Sequence, residues 1–569
     1  MPSPCLAFAV LLLAFAAQNP SILHSSSRLQ EVRQLYARHD WQGVVQATPP
    51  RPGDPAEVDY YRGMALAKLK RWSEARQAFL RGRRKAPRDK RFPTELGGVA
   101  FVQKNYAEAK RELRATLRLD PHDRYALDFM ATIYELEDNT AAALKYWNRA
   151  GMPEVQKITF TPTPQLDPVL LNGAIAFSRG AVLTLPAWRT TQARLGALGV
   201  FTQPRLGVQP LTGGGYGVQL TSIERNGWGN SKLQGLVSLL RGAPYETIYP
   251  EFFNLGQSAM NFTSLLRWDP NKERVFTSFS SPIESSAEWR YELYLDGRRE
   301  NWNLSNTFFG AAAPVNDMRL EKVEGGARVE SVVSGRLQWN MGVDLSGRSF
   351  SNVHPATPSA ASFFRNGFAL EYRAGAGSRI IDLPEHRFSV DAGATSQAGR
   401  MWLRGANPFL QAEGSLRAHW LPQAQGNDYE MNFQARAGKT WGAVPFDDLF
   451  ILGIERDNDL WLRAHVGTAD GKKGSAPLGR NYSLFNWDDF KRIYTNGFFN
   501  LSAGPFLDWG RISDPSGDFG SRRWLMDTGI ELKIGVLGGA TVELVFGKDL
   551  RTGANAFYAT SLGIDSLSH

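Results

Sequence analysis

Residues 499–510 read Phe-Asn-Leu-Ser-Ala-Gly-Pro-Phe-Leu-Asp-Trp-Gly, and their alternation decides the fold. Counting every second residue gives one largely apolar face and one face of mostly small or polar residues. The apolar face consists of Phe499, Leu501, Ala503, Pro505, Leu507 and Trp509. Successive side chains of a strand point to opposite faces, and this contrast is typical of a strand between lipid and a wet lumen. We therefore predict a wall strand of a transmembrane β-barrel, closing at Phe506–Gly510, with Asp508 facing the lumen.

A polar loop upstream carries Leu462-Arg463-Ala464-His465, about forty residues before Phe506. An arginine inside a narrow lumen needs a partner, because an unpaired and partly desolvated cation is costly. The sequence therefore predicts a pair between Arg463 and Asp508. A structural brace is favoured over a catalytic role for this pair.

Short alternating stretches recur from Arg225 to the end of the chain, as in residues 529–536 and 541–546. Turns rich in Gly, Asn, Asp and Pro separate them. At roughly twenty residues per strand and turn, this region predicts on the order of sixteen antiparallel strands. A large soluble β-sandwich is the poorer alternative, because the outward faces are apolar and the pattern of a second sheet is missing.

Composition excludes several classes of protein. The 569 residues include 55 glycines and 12% aromatic residues, and the mean hydropathy is negative. After the N-terminal segment, a run long enough to form a membrane-spanning helix is absent from the sequence. The net charge of +9 is spread along the chain and indicates contact with anionic lipid or polymer rather than nucleic acid. Cys5 is the only cysteine, which excludes an internal disulfide and a thiolate metal site.

Residues 1–17 have the apolar core and small terminal residues of a secretory signal peptide, with cleavage expected near Ala16 or Ala17. A helical region follows over residues 26–152, where small, aromatic and proline positions recur at a spacing of 34. Gly63, Gly97 and Ala131 keep this step. The period is the signature of a tetratricopeptide (TPR) solenoid, which commonly holds peptides on its concave surface.

A basic run lies at one junction between these repeats, comprising Arg81, Arg83, Arg84, Lys85 and Arg88, with Lys90 and Arg91 beyond it. A solvated helix end is the favoured interpretation. The alternative is a docking patch for an acidic partner.

Residues 155–224 form a third module, with helices expected near residues 168–177 and 186–198 and strands over 200–210 and 218–224. This order resembles a POTRA domain, a small α+β periplasmic module that precedes barrels of the BamA/TpsB superfamily, also called bacterial surface antigen proteins. An unrelated α+β linker domain is the alternative.

The barrel region, residues 225–569, strengthens the resemblance. Phe506, Asp508 and Gly510 match the Phe-x-Asp-x-Gly strand motif of that superfamily. Residues 462–465 stand where the family has a Leu/Val-Arg-Gly-aromatic loop, with Ala464 replacing glycine and His465 replacing the aromatic residue. The resemblance implies that the loop folds into the lumen and that Arg463 meets acidic residues of the wall. Asp508 is the first candidate partner, and Asp488 is the second.

Catalysis has little support in the sequence. The eight histidines are scattered without metal-binding spacing, and a Gly-x-Ser-x-Gly elbow is absent. The loop over residues 467–475 has one residue too few to be a phosphate-binding loop. We expect neither an enzyme nor a cofactor, and an outer-membrane enzyme such as a barrel lipase is the minor alternative.

Together these observations predict a multidomain protein with an all-α TPR solenoid, a POTRA-like domain and a C-terminal barrel. The expected location is the outer membrane of a Gram-negative-type bacterium, with the N-terminal domains in the periplasm. The expected function is insertion or transport of polypeptide clients, with lipid, clients and accessory proteins as partners. A pore that exports polysaccharide or another solute is the alternative, and a surface receptor without transport is a third hypothesis.

Overall fold

The structure is a computed structural model that describes residues 20–305, 307, 317–353, 363–402, 406–496, 498–537 and 540–562. The predicted signal peptide lies outside these residues, as does Gly563. The described residues divide into two compact units, one comprising those up to Leu136 with Ala142–Met152, the other Glu137–Ala141 and those from Pro153 onward. Within the described residues, every helix is too short or too polar to cross a bilayer.

The first unit is helical throughout its described part. Its helices are α1 (Pro20–Ala37), α2 (Trp41–Ala47), α3 (Ala56–Lys68), α4 (Trp72–Lys85), α5 (Arg91–Val102), α6 (Tyr106–Leu119), α7 (Arg124–Leu136) and α8 (Thr140–Arg149).

Small residues allow these helices to pack closely. A Cβ added to Gly63 of α3 would lie 2.4 Å from the Phe79 ring of α4, and one added to Gly82 would lie 2.1 Å from the Phe92 ring of α5. Side chains cap the helix starts, as where Asn105 accepts a hydrogen bond from the backbone N–H of Glu108. The helix boundaries follow the 34-residue period, while the assignment of this region as a TPR array stays a prediction.

The second unit begins with a small α+β module. Its elements are β1 (Val155–Thr161), α9 (Pro168–Ala174), α10 (Leu185–Ala197), β2 (Phe201–Pro210) and β3 (Tyr216–Glu224). The sheet order is β1-β3-β2, with β1 parallel to β3 and β2 antiparallel to it. The first helix ends at Ala174, three residues before its predicted end, and β1 begins the module ahead of the helices.

The rest of the unit forms one large sheet whose strand order closes into a barrel. Its main strands are β4 (Thr247–Ile248), β5 (Glu251–Leu255), β6 (Met260–Arg267), β7 (Lys272–Pro282), β8 (Trp289–Trp302), β9 (Met318–Val332), β10 (Leu337–Ser351), β11 (Gly367–Leu383), β12 (Phe388–Trp402), β13 (Ala406–Trp420), β14 (Tyr429–Gly442), β19 (Asn481–Thr495), β20 (Phe499–Ser513), β21 (Leu525–Val536), β22 (Ala540–Asp549) and β23 (Asn555–Leu562). The shorter strands β15 (Phe450–Ile451), β16 (Thr468–Ala469), β17 (Lys472–Lys473) and β18 (Leu478–Gly479) lie between β14 and β19, where β15 and β18 form a separate pair.

The sheet contains eighteen strands within the described residues, rather than about sixteen. Three of the eighteen, namely β4, β16 and β17, have only two residues each, which leaves fifteen longer strands.

The two faces of the wall differ as the alternation predicts. On β10 the side chain of Leu345 is 52% exposed, whereas its neighbours Asp344 and Ser346 are buried. On β20 Trp509 is 46% exposed and Asp508 is fully buried. That strand continues to Ser513, three residues beyond the predicted end at Gly510, because its pairing with β19 extends to Asn481. The outer face is therefore apolar and the inner face polar.

The α+β module lies against the turns at one end of the barrel. Helix α10 supplies Arg189, which pairs with Asp382 at 2.7 Å, and Arg194, which pairs with Glu288 at 2.6 Å. The hydroxyl of Thr190 accepts a hydrogen bond from the backbone of Gly335. These contacts reach two turns and the end of β11, so the module has a defined position on the barrel.

Candidate functional site

The connection between β14 and β19, residues 443–480, is the lumen loop. Its side chains contact inward-facing residues of strands β6 to β10 on one side of the barrel and β19 to β22 on the other. It therefore crosses the lumen and is bonded to opposing parts of the wall.

Arg463 occupies the centre of one of these contacts. Its Nε and Nη2 donate to the two carboxylate oxygens of Asp508 at 2.9 and 2.6 Å, and its backbone N–H donates to the same side chain at 2.9 Å. Its Nη1 donates to Asp488 and, at 2.7 Å, to Glu531. The structure thus brings together all three residues proposed for the brace and adds Glu531.

Burial makes this cluster sensitive to its charge balance. Arg463 is 3% exposed, and Asp508 and Glu531 are buried. Burial alone would lower the pKa of Arg463, but the surrounding carboxylates, Asp508 foremost, raise that pKa well above its ordinary value. The guanidinium therefore stays charged, and each of the three carboxylates gains a bonded cation.

Neighbouring groups fix the geometry of the pair. The Arg463 guanidinium carbon lies 4.0 Å from the centre of the Phe506 ring, a cation–π contact. Asn486 donates to Asp508 at 2.7 Å and to the Trp461 carbonyl at 2.8 Å. Both members of the brace are consequently held from more than one side.

The rest of the loop motif also contacts the wall. Leu462 is fully buried and packs in an apolar cluster with Phe450, Leu452, Leu460, Tyr482, Leu484 and Ile512. The backbone N–H of Ala464 donates to Asp527 at 2.7 Å, and His465 Nδ1 lies 2.9 Å from the same carboxylate oxygen. Histidine in place of the aromatic residue thus adds a polar contact to β21.

The charge of His465 depends on two opposing effects. Burial lowers the pKa of His465, but the hydrogen bond and charge of Asp527, with the charges of Asp549 and Asp508, outweigh burial and raise that pKa above its ordinary value. The protonated imidazole is therefore the form that these carboxylates stabilise.

Glycines allow the loop to approach the wall closely. A Cβ on Gly547 of β22 would lie 2.5 Å from the Arg463 carbonyl oxygen and 3.1 Å from the Ala464 Cα. A Cβ on Gly510 would meet the side chains of Leu484, Leu452 and Leu462 at 3.1–3.3 Å. The glycine of the strand motif therefore leaves room for the leucine of the loop motif.

The opposite contact of the loop has the reverse charge. Asp457 accepts hydrogen bonds from Arg267 of β6 at 2.9 and 3.1 Å and from Arg274 of β7 at 2.6 Å, with Lys473 at 3.8 Å. Burial raises the pKa of Asp457, but the nearby cations outweigh it and hold that pKa well below its ordinary value. Two further loop carboxylates, Asp447 and Asp448, lie near Lys322 and Arg348.

Sequence analysis missed this acidic contact. The available signal was the alternation itself, because Lys272 and Arg274 are two residues apart and therefore share one face of a strand. Lys272 donates to Glu455 of the loop at 2.8 Å, and Lys473 donates to Glu300 at 2.7 Å.

The end of the barrel away from the α+β module contains a large apolar cluster. Phe446 is 1% exposed and lies at its centre, with ring-centre distances of 5.0 Å to Trp302, 6.2 Å to Phe350 and 6.2 Å to Phe519. These residues come from β8, β10, the lumen loop and the connection after β20. Apolar packing therefore covers part of the lumen at this end.

The basic run of the helical unit is largely engaged within that unit. Arg81 and Lys85 pair with Asp59 of α3, and Arg83 pairs with Glu112 of α6. Arg84 and Arg88 are exposed. Most of the proposed docking patch therefore links neighbouring helices.

Comparisons with known proteins give likeness only at the level of the overall structure. BamA from Haemophilus ducreyi lacking POTRA domains 1–3 has a TM-score of 0.42 and 11% identity over 72% of this chain and 84% of its own. CdiB from Escherichia coli has a TM-score of 0.46 and 12% identity, covering 72% and 77%, and CdiB from Acinetobacter baumannii has 0.42 and 12%, covering 72% and 74%. Family models give no match to the sequence, and neither do curated proteins.

Proposed function

We propose that this chain is an outer-membrane β-barrel of the assembly and translocation type. It takes polypeptide clients from the periplasm for insertion into the outer membrane or transport across it. The α+β module is its POTRA domain, and the helical unit is a TPR array that gathers clients or accessory proteins. The location, the client class and these domain assignments all belong to the proposal.

The observation that carries the proposal is the lumen loop. Arg463 and Asp457 attach it to different parts of the wall through buried, hydrogen-bonded charges. Removing one member of such a pair typically costs about 3–5 kcal/mol, so thermal motion alone rarely releases the loop. A wide solute pore needs an unobstructed lumen, and a loop anchored across it argues against that alternative.

The apolar cluster around Phe446 supports the same conclusion. Its described members include Trp302, Leu320, Phe350, Phe363 and Phe519, all at most 7% exposed. A permanent aqueous channel would line this end with polar groups instead. A lumen that opens only in response to a client fits a translocator better than a passive porin.

The edge of the small sheet supports the proposed client contact. Strand β2 lies at an edge of the order β1-β3-β2, and an exposed edge can accept an extended peptide through main-chain hydrogen bonds. Its pairing with β3 is irregular between Thr202 and Arg205, where Pro204 lacks an N–H. We infer that residues 205–210 are the part of the edge that receives clients.

Site-specific photocrosslinking in native envelopes tests this role. A crosslinking amino acid at the exposed Gln209 of β2 should capture exported polypeptides, whereas one at Thr221, which is exposed on the central strand β3, should capture far fewer. Equal capture at both positions, or capture of soluble polysaccharide only, would contradict the client role.

Conductance separates the translocator from the solute pore. The purified chain in a planar bilayer should give small or flickering currents, because the lumen loop and the Phe446 cluster obstruct the passage. Large, stable steps from the intact protein would favour the pore that exports polysaccharide or other solutes.

A further inference from the structure

A short helix, α11 (Lys232–Leu240), lies between the α+β module and the first strands of the barrel. It runs beside β5 and is held there at several points. Ser238 and Arg241 bond to Glu251 of β5 at 2.8 and 2.7 Å, and the Leu239 carbonyl accepts from the backbone N–H of Tyr249 at 2.9 Å. The helix therefore has a fixed place against this strand.

The contacts of α11 reach both faces of the wall. Arg267 of β6 points into the lumen, so Thr263 shares its face, and Glu251 pairs with Thr263. Phe252 pairs with Phe262 and therefore points outward.

Trp228 connects α11 to that outward face. Its ring lies 5.5 Å from the ring of Phe252, and its backbone packs so closely on the helix that a Cβ on Gly235 would lie 2.6 Å from the Trp228 carbonyl oxygen. Since Glu251 is contacted from the lumen face and Phe252 from the outer face, the helix lies along the edge of β5.

The polarity of α11 is the reverse of that expected for a helix in water. At 100° per residue, Leu233, Leu236, Val237 and Leu240 fall within an arc of about 100°. Leu233, Leu236 and Leu240 are 56%, 47% and 45% exposed. Gln234, Ser238 and Arg241 occupy the side that faces the protein, where Gln234 is buried. The apolar residues thus face outward and the polar ones inward.

We propose that the leucine face of α11 is a lipid-binding surface that contacts the acyl chains of the membrane leaflet on the side of the α+β module. The inference rests on the proposed membrane location of the barrel and adds a non-strand element to its lipid contact. The helix is about 14 Å long at 1.5 Å per residue, which matches one leaflet of a hydrocarbon core about 30 Å thick.

Continuity with the outer face of the barrel favours lipid as the occupant. The aromatic contacts run from Trp228 to Phe252 and from there to Phe262 at 6.3 Å, all towards the outer side of β5 and β6. The outward residues of the nearby strands are similarly apolar and exposed, including Leu255, Leu266, Val275, Leu293 and Leu295. Trp228 itself is 54% exposed, and tryptophan is enriched where a membrane protein meets the interface.

Fluorescence quenching in proteoliposomes tests the proposal. In a Cys5→Ser background, Leu233→Cys, Leu236→Cys and Leu240→Cys are each labelled with the environment-sensitive dye NBD. Leu345→Cys on the outer face of β10 is the lipid control, and Thr395→Cys is the aqueous control because it is exposed on the inward face of β12. Brominated phospholipid reports lipid contact, and iodide reports contact with water.

The three α11 positions should follow Leu345, with strong quenching by brominated lipid and weak quenching by iodide. Iodide quenching like that of Thr395, with Leu345 still quenched by lipid, would overturn the lipid surface and leave the proposed function intact. Protection from both quenchers would mean that protein covers the helix, which also overturns it. Failure of lipid to quench Leu345 would instead contradict the membrane-spanning barrel. Heat-modifiable migration of each variant verifies folding, and the three positions are interpreted separately.

Discussion

The two contacts of the lumen loop are opposite in charge and similar in design. At Arg463 one cation meets three carboxylates of β19, β20 and β21, whereas at Asp457 one carboxylate meets two arginines of β6 and β7 and a lysine of the loop itself. Because the facing parts of the wall have opposite charge, the loop can lie across the lumen in only one orientation. Complementary charge thus both anchors the loop and sets its direction.

Each contact has one wall residue that pairs with the loop alone and one that has a second partner. Among the described residues, Asp508 pairs only with Arg463, and Arg267 only with Asp457. Glu531 also pairs with Lys533 at 3.3 Å, and Arg274 also pairs with Asp296 at 2.8 Å. Truncating Arg463 to alanine removes all of its side-chain hydrogen bonds, whereas asparagine in place of Asp457 keeps an oxygen that can accept from Arg267, so the first change should be the more damaging.

The largest effect is expected from Arg463→Ala. It leaves Asp508 buried without its cation, while Glu531 keeps Lys533 at 3.3 Å. Breaking a buried pair in this way typically costs about 3–5 kcal/mol. The thermal midpoint of the heat-modifiable band should fall accordingly. Arg379→Ala is the matched control, because its partner Asp391 is 40% exposed and such a pair is worth at most about 1 kcal/mol. Equal falls in the thermal midpoint for the two variants would contradict the larger loss of stability expected from Arg463→Ala.

Asp457→Asn should have a smaller effect of about 1–3 kcal/mol, the usual cost of leaving a buried charged group short of a hydrogen-bond partner. Arg274 keeps Asp296, which limits the loss. Thermal midpoints measured beside Arg463→Ala test the ranking. A fall in the thermal midpoint for Asp457→Asn that equals or exceeds the fall for Arg463→Ala would contradict this ranking.

Gly547→Ala tests how closely the loop approaches the wall near Arg463. The added methyl group would meet the loop backbone, and overpacking of this kind costs about 1–3 kcal/mol. Gly414→Ala on β13 is the control, because a Cβ there has open space within 4 Å. If both variants unfold at the wild-type temperature, the loop does not lie against β22.

The smallest effect is expected from His465→Phe, which places an aromatic residue at this position of the loop. The raised pKa of His465 means that its contact with Asp527 stabilises the protein fully below about pH 6.5, the usual histidine value, and less as pH rises through the folded-state value. The stability difference between wild type and variant should therefore shrink from pH 6 to pH 9. A difference that grows with pH would contradict the charged form of His465.

The sequence was sufficient for the features that local patterns encode. Strand alternation predicted the inward face of Asp508 and the outward face of Trp509, and the two motifs predicted that Arg463 and Asp508 would lie together. Asp488 was proposed as an alternative partner, and the structure places both carboxylates on the same guanidinium.

Other features depend on contacts distant in sequence. Asp457 lies 190 residues from Arg267 and 183 from Arg274, so only the closed order of strands reveals their contact. The helix α11 falls inside a region interpreted as the start of the barrel wall, yet Leu233, Leu236 and Leu240 recur at helical spacing. Gly235 and Gly242 also argue against a strand in this segment, because glycine weakens strand interiors.

A double-mutant cycle measures the direct interaction of Arg463 with Asp508. Arg463→Ala, Asp508→Ala and the double variant are compared by unfolding temperature and by client capture at Gln209. The double variant should be little worse than either single variant, since each substitution already removes the pair. Losses that simply add would contradict a direct bond and would make Asp488 the partner to test next.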